Sequence, residues 1–136
     1  MHFRDSDGYY TSRHACFLLQ YHLVLVTKYR HPVMVGDVRD AMKGYVQKFF
    51  DDRGMPVHAI DVEPDHLHVI FDASPQLELK TFINALKSAS SRRIRADFPD
   101  DVSKFYWKPV FWSLSYFICT VSDRSADVVK HYIESQ

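Results

Sequence analysis

Nothing in this 136-residue chain stays apolar for long: the longest uninterrupted run, Ala15 to Leu19, falls far short of the roughly 20 residues a membrane-crossing helix needs. The opening stretch carries Arg4, Asp5, Asp7 and Arg13 and has no continuous apolar segment of the kind a secretory signal requires. No membrane partner and a cytoplasmic location are therefore expected. Cysteine is scarce. Cys16 and Cys119 stand far apart within apolar stretches, which excludes a closely spaced zinc pair and reads as two small core side chains. Repeats and low-complexity segments are absent too. What remains is an ordinary globular composition, 46% hydrophobic and 25% charged, which excludes a disordered tail, a coiled coil or a collagen-like chain. Residues 1–136 are expected to form a single domain, with about 1–15 as an N-terminal extension. A chain of this length buries roughly 68% of the surface its unfolded form exposes, enough for a real core.

Net charge is also missing, with 17 Lys and Arg against 17 Asp and Glu, but its distribution is uneven. Between Leu79 and Ala96 the ionisable side chains are Lys80, Lys87, Arg92, Arg93 and Arg95, with no carboxylate among them. A cationic face therefore survives overall neutrality.

The spacing of apolar residues predicts the elements. Phe17 to Lys28, rich in Leu, Val, Phe and Tyr and punctuated by Pro32, reads as a long strand. Val38, Met42, Tyr45, Val46, Phe49 and Phe50 recur at helical steps between Asp37, a candidate N-cap, and Gly54, a C-terminal stop. Val57 to Glu63 and His66 to Ala73 read as a hairpin turned by Pro64 and Asp65. Leu77 to Phe98 returns to helical spacing and stops before Pro99. An acidic loop, an aromatic-rich stretch and a strand from Tyr116 to Val121 follow, and a last helix starts near Ser122 or Asp123 and runs to the C-terminus. The order is βαββαβ plus a helix. It predicts an α+β, ferredoxin-like split βαβ fold: a four-stranded antiparallel sheet with helices on one face, the other face free for a ligand, and an additional C-terminal helix carrying Tyr132.

His66 and His68 are the first candidates for chemistry. On a strand, residues two apart share a face at about 6.6 Å, so both imidazoles can reach one metal. Spacing alone does not decide, because eight histidines in 136 residues give about 0.5 such pairs by random placement, and two solvent-facing histidines leave the same pattern. Asp65 beside them is of the type that ligates a metal or orients a ligand. Tyr132 and Gln136, four apart, share one helix face about 6 Å apart, although Tyr132 equally belongs to an apolar stripe with Val128, Val129 and Ile133. Trp107, Trp112, Tyr116 and Phe117 suit a core, a dimer interface or stacking on unpaired bases.

Five stretches in order carry a resemblance: Tyr21 to Arg30 (YHLVLVTKYR), Glu63 to His68 (EPDHLH), Leu86 to Arg93 (LKSASSRR), Phe111 to Phe117 (FWSLSYF) and Lys130 to Gln136 (KHYIESQ). Over nearly the whole chain the sequence resembles the single-tyrosine HUH transposases of insertion sequence 200/605 type. The resemblance implies that His66 and His68 bind a divalent cation with Gln136 as third ligand, and that Tyr132 is the nucleophile. It further implies a homodimer with composite active sites, acting on single-stranded DNA with hairpins near the element ends through a 5′-phosphotyrosine intermediate. Imidazole and amide-oxygen ligands suit Mg2+ or Mn2+ better than a closed structural zinc site, and Asp65 takes the outer position. Lys28, Arg30, Lys87, Arg92 and Arg95, clustered after the first strand and on the basic helix, are the candidate DNA contacts. Two rival readings stay open: a domesticated relative that cuts repetitive palindromes (REP-associated), and a non-catalytic single-stranded DNA or RNA-binding module built like an RNA-recognition domain.

Overall fold

The computed structural model describes residues 3–4, 9–11, 16–121 and 125–135. Its centre is β4 (Leu19–Thr27), which pairs antiparallel with β6 (His66–Ala73) on one side and β7 (Trp112–Thr120) on the other. Beyond β6 lies β5 (Val57–Val62), so the sheet order is β5-β6-β4-β7. Helices α1 (Gly36–Asp52) and α2 (Leu79–Asp97) cross over between strands and cover one face. This is the ferredoxin-like split βαβ arrangement, with α4 (Ser125–Ser135) appended. None of the described helices is long and apolar enough to cross a membrane.

Alternation sorts the strands into two faces. Leu23 and Leu25 of β4 and Leu67, Val69 and Phe71 of β6 point into the main core, where they meet Met42, Val46, Phe49 and Phe50 of α1 and Phe82, Ile83 and Leu86 of α2. Phe71 is fully buried, with ring centroids 4.8 Å from Phe50 and 5.6 Å from Phe82. Val24 and Val26 point the other way and join Val129 of α4 in a second, smaller core. The expected free face is therefore partly covered. The uninterrupted run from Leu23 to Val26 is the physical signature of this, because a strand buried on both sides loses its polar alternation.

Helix α1 ends as its sequence predicts. Gly54 adopts φ +64°, and its N–H donates to Asp51 while that of Met55 donates to Phe50, both at 3.0 Å, the paired bonds that close a helix through a left-handed residue. Its start differs from expectation: Val35 caps the helix without a side-chain bond, and Asp37 lies inside the first turn, where a carboxylate still favours the helix dipole. Three further corrections concern local features. The acidic loop contains α3 (Pro99–Ser103), because Pro99 both ends α2 and starts a new turn at the position where a missing N–H costs nothing. Strand β7 begins at Trp112 rather than Tyr116 and bulges opposite Leu25–Thr27, leaving Leu114 87% exposed. Cys16 is exposed rather than in the core, since it belongs to a small separate sheet of β1 (Phe3–Arg4), β2 (Tyr10–Thr11) and β3 (Cys16–Phe17). Cys119 is half-buried beside the second core, and burial pushes its thiol pKa up.

Replacing Phe71 by Ala removes the ring that joins both helices to the sheet and should cost about 3–5 kcal/mol. Leu114→Ala, at the exposed bulge, should stay within about 0.5 kcal/mol. Urea unfolding of the two variants measures the contrast.

Candidate active site

The site grows from the β5–β6 hairpin and the end of β4. The two-residue turn Pro64–Asp65 is closed by Glu63 N–H donating to His66 at 2.8 Å. On the other side of β6, the pairing with β4 sets Val26 opposite His66 and Val24 opposite His68. Both histidines stand on the face away from α1 and α2, with ring centroids 5.3 Å apart. The Thr27 N–H and hydroxyl both donate to the carbonyl of Asp65, at 3.0 and 3.1 Å, which ties the hairpin turn to the end of β4.

Each ring is held from behind. His66 Nδ1 lies 2.8 Å from Asp65 Oδ1. A carboxylate only accepts, so Nδ1 carries the proton and Nε2 keeps a free lone pair. His68 Nδ1 lies 3.2 Å from His22 Nε2, the two rings stacked at 20°, which likewise leaves His68 Nε2 for a ligand. Burial, with help from His68, holds the His22 imidazole below the usual 6.5, against the opposing pull of Asp61. Burial and His66 lower His68 in the same way, against Asp61 and Glu63. Both are neutral at pH 7, the form that ligates a cation.

Asp65 is the hub of the arrangement. Its second oxygen accepts from Arg30 Nε at 2.8 Å, with a further Arg30 nitrogen at 2.8 Å, while Arg30 also donates at 2.6 Å to the carbonyl of Ile133 on α4. Burial tends to raise the Asp65 pKa, but the His66 hydrogen bond and the Arg30 charge prevail and hold it below the ordinary carboxylate range. To present Arg30 there, the chain passes through a 3-10 turn (Lys28–Arg30) in which Tyr29 and Arg30 take φ values of +58° and +54°, a strained conformation for residues with a side chain.

The histidines open into a cleft of about 510 Å³ shared with His22, Glu63 and the Val129, Lys130, Ile133 and Glu134 face of α4. Tyr132 is not part of that lining. Its ring packs 5.0 Å from Phe117 of β7, and its buried hydroxyl has no hydrogen-bond partner among the described residues. Within the single chain, then, the structure brings the two histidines and Asp65 together and turns Tyr132 aside. Gln136, like the helix-start residues Ser122 and Asp123, lies outside the described residues. Among the described residues no three His, Cys, Asp or Glu side chains converge as a ready metal cage, so His66 and His68 fit a cation completed by a third donor. His22 and Glu63 were not singled out in the sequence reading. The signal for His22 is its two-residue step from Val24, which becomes readable only once the β4–β6 register is known.

The candidate DNA contacts separate by their surroundings. Arg92 is exposed. Lys87 is half-buried, donating to the Leu114 carbonyl at 3.4 Å, and burial lowers its pKa. Arg95 donates to Ser91 on its own helix at 3.2 Å, and Arg30 is engaged as described. Lys28 lies over the Tyr29 ring at 5.5 Å.

Comparison with known proteins identifies the class to which this ferredoxin-like fold belongs: a transposase. Residues 15–136 match the family described as "Transposase IS200 like". The chain is 39% identical over 120 residues, 88% of its length and 85% of the relative's, to the ISDra2 transposase TnpA of Deinococcus radiodurans. It is 27% identical over 124 residues, 89% and 81% of the two chains, to the transposase of insertion element IS200 from Salmonella typhimurium. A Deinococcus radiodurans crystal structure assigned to a transposase superposes with a TM-score of 0.84 at 36% identity, covering 93% of this chain and 96% of that one. A REP-associated tyrosine transposase bound to a REP hairpin shares the fold at TM-score 0.56 and 12% identity, covering 89% and 68%. The chain belongs to the IS200-like transposase family and is a transposase.

Removing the orphaned phenol oxygen should help the fold. Tyr132→Phe should raise the unfolding free energy by about 1 kcal/mol, read as a higher urea midpoint at unchanged slope. A fall of the same size would mean that the hydroxyl has a partner in solution.

Proposed function

We propose that this transposase is a metal-dependent DNA strand transferase of HUH type, acting in the cytoplasm as a homodimer on single-stranded DNA with hairpins at the ends of its element. The observation that carries the reading is the fixing of both imidazoles through Nδ1, His66 by Asp65 and His68 by His22, with both residues lining the same cleft. Such support is what a metal-binding histidine needs, and it is not expected of two histidines that merely face solvent. A bound Mg2+ or Mn2+ would supply charge neutralisation at a non-bridging phosphate oxygen, with His66, His68 and Gln136 holding it.

The chain's own residues do the rest. The Tyr132 phenol oxygen attacks phosphorus in line, forming a Tyr–O–P bond as the P–O3′ bond breaks. The phenol gives up its proton and the departing 3′ oxygen takes one up, so the products are a 5′-phosphotyrosine and a free 3′-hydroxyl. Because the diester bond is conserved in the linkage, a 3′-hydroxyl from another strand rejoins it without ATP. The aside position of Tyr132 in one protomer supports a composite site, in which α4 of one protomer serves the histidines of the other.

The rival readings fare less well. The partly covered sheet face carries His22, His66 and His68 beside valines, not the open aromatic platform of an RNA-recognition module. Identity to an insertion-sequence protein, 39% for ISDra2 TnpA, exceeds the 12% to the REP-associated one, which favours an element's own transposase over a domesticated palindrome cutter.

Incubation with Mn2+ and an oligonucleotide carrying the matching hairpin end should give a covalent adduct on denaturing gels, absent with chelator and with Tyr132→Phe. A folded wild-type protein that forms no adduct sinks the reading. Asp65→Asn should raise the Mn2+ concentration needed for half-maximal adduct about 10- to 100-fold while leaving Tyr132 competent at saturating metal.

A further inference from the structure

The most exposed aromatic rings of the described chain lie together, away from the histidine cleft. Trp107 is 87% exposed and Tyr29 76%, and both line a cleft of about 190 Å³ between the turn after β4 and the loop before β7. Its floor is the buried Tyr106, whose hydroxyl donates to the Lys28 carbonyl. Two ammonium groups accompany the rings, Lys28 at 5.5 Å over Tyr29 and Lys108 at 5.1 Å over Trp107, and no carboxylate lines the cleft.

Three features argue that this is a binding site. Tyr29 is held outward by a left-handed backbone, φ +58°, a conformation that the surrounding structure must enforce and that concentrates at functional positions. The enforcement is visible: Lys28 N–H donates to the Phe111 carbonyl at 2.9 Å, and His31 packs 5.6 and 5.4 Å from Phe105 and Tyr106. Flat aromatic faces beside cations, in a cleft that no carboxylate lines, match the chemistry of a single strand, whose bases stack while its phosphates seek positive charge. A duplex keeps its bases stacked on one another and offers no such face. Finally, Tyr29 is chain neighbour to Arg30, which bonds Asp65 and the helix bearing Tyr132, so a base gripped here lies on a strand already beside the active site.

We propose that the cleft between Tyr29 and Trp107 takes one unpaired base of the DNA strand, with Lys28 and Lys108 against the flanking phosphates. The inference rests on the strand-transferase reading for its substrate and adds to it a base-holding site outside the histidine cleft.

Trp107 fluorescence tests it, with the buried Trp112 as internal reference. Titration of the wild type with oligo-dT should quench the emission, and a blunt duplex of equal length should not. Trp107→Ala should weaken oligo-dT binding about tenfold, as should Tyr29→Asn, which tolerates the left-handed backbone. Trp107→Phe should bind within about twofold of wild type, since it keeps a ring. Unchanged affinity in Trp107→Ala and Tyr29→Asn, or equal quenching by duplex, overturns the proposal. If the wild type still forms its covalent adduct in that case, the cleft alone is refuted; if the wild type neither binds oligo-dT nor forms adduct, the strand-transferase reading falls with it.

Discussion

One carboxylate connects everything that matters in this molecule. Asp65 divides its two oxygens between His66 and Arg30, and Arg30 continues to the Ile133 carbonyl. Through these bonds the β5–β6 turn, the strained turn after β4 and the C-terminal helix share one anchor. Removing any partner leaves charge half-buried without compensation, which is costly in a partly desolvated site. The depressed acidity of Asp65 gives the sign of its pH dependence: a carboxylate whose folded pKa lies below its unfolded one contributes stability above the ordinary value of 3.8, lost as pH falls through the folded value. The anchor is therefore intact throughout the physiological range.

Helix α4 is the counterpoint to that rigidity. Among the described residues its hold on the sheet is apolar: Val129 with Val24 and Val26, Ile133 and Cys119 beside them, and the Tyr132 and Phe117 rings. Docking also buries a phenol oxygen with no partner among the described residues, a penalty that offsets part of the gain from burial. An element whose described contacts are a small apolar cluster and the Arg30 bond to the Ile133 carbonyl resembles the low-stability end of a structure, from which moving parts are drawn. The same helix carries Tyr132, the nucleophile of the proposed reaction.

How much of this could be read from the sequence follows from which signals are local. The α1 stop at Gly54, the Pro64–Asp65 hairpin and the shared face of His66 and His68 depend on neighbours a few residues away and emerged as expected. His22 behind His68 depends on the pairing of β4 with β6, which no local pattern specifies. The partly covered sheet face was signalled by the unbroken run Leu23 to Val26, but that run fits a strand buried by helices or by a partner equally well. The left-handed Tyr29 and Arg30 carry no glycine or asparagine to announce them; tertiary contacts impose that turn. Trp107 belongs to an aromatic stretch in which Trp112 is core, donating to Ser90 at 2.9 Å, and composition treats the two alike.

Overall neutrality sharpens the question of how such a protein holds DNA. Several of the cations that sequence assigns to a basic face are engaged within the fold: Arg93 pairs with Asp97 at 3.0 Å and lies over Tyr45, Lys87 leans on β7, and Arg30 serves Asp65. Counterion release scales with the number of phosphates neutralised, so each cation committed to a partner within the fold lowers the salt-dependent share of binding. Under the proposed reading, binding also draws on terms that salt does not screen, stacking on exposed rings and hairpin shape. Those terms act on unpaired and folded single strands rather than on uniform duplex. On the proposed reading the protein is suited to pass over uniform duplex and to engage a strand where bases are already exposed.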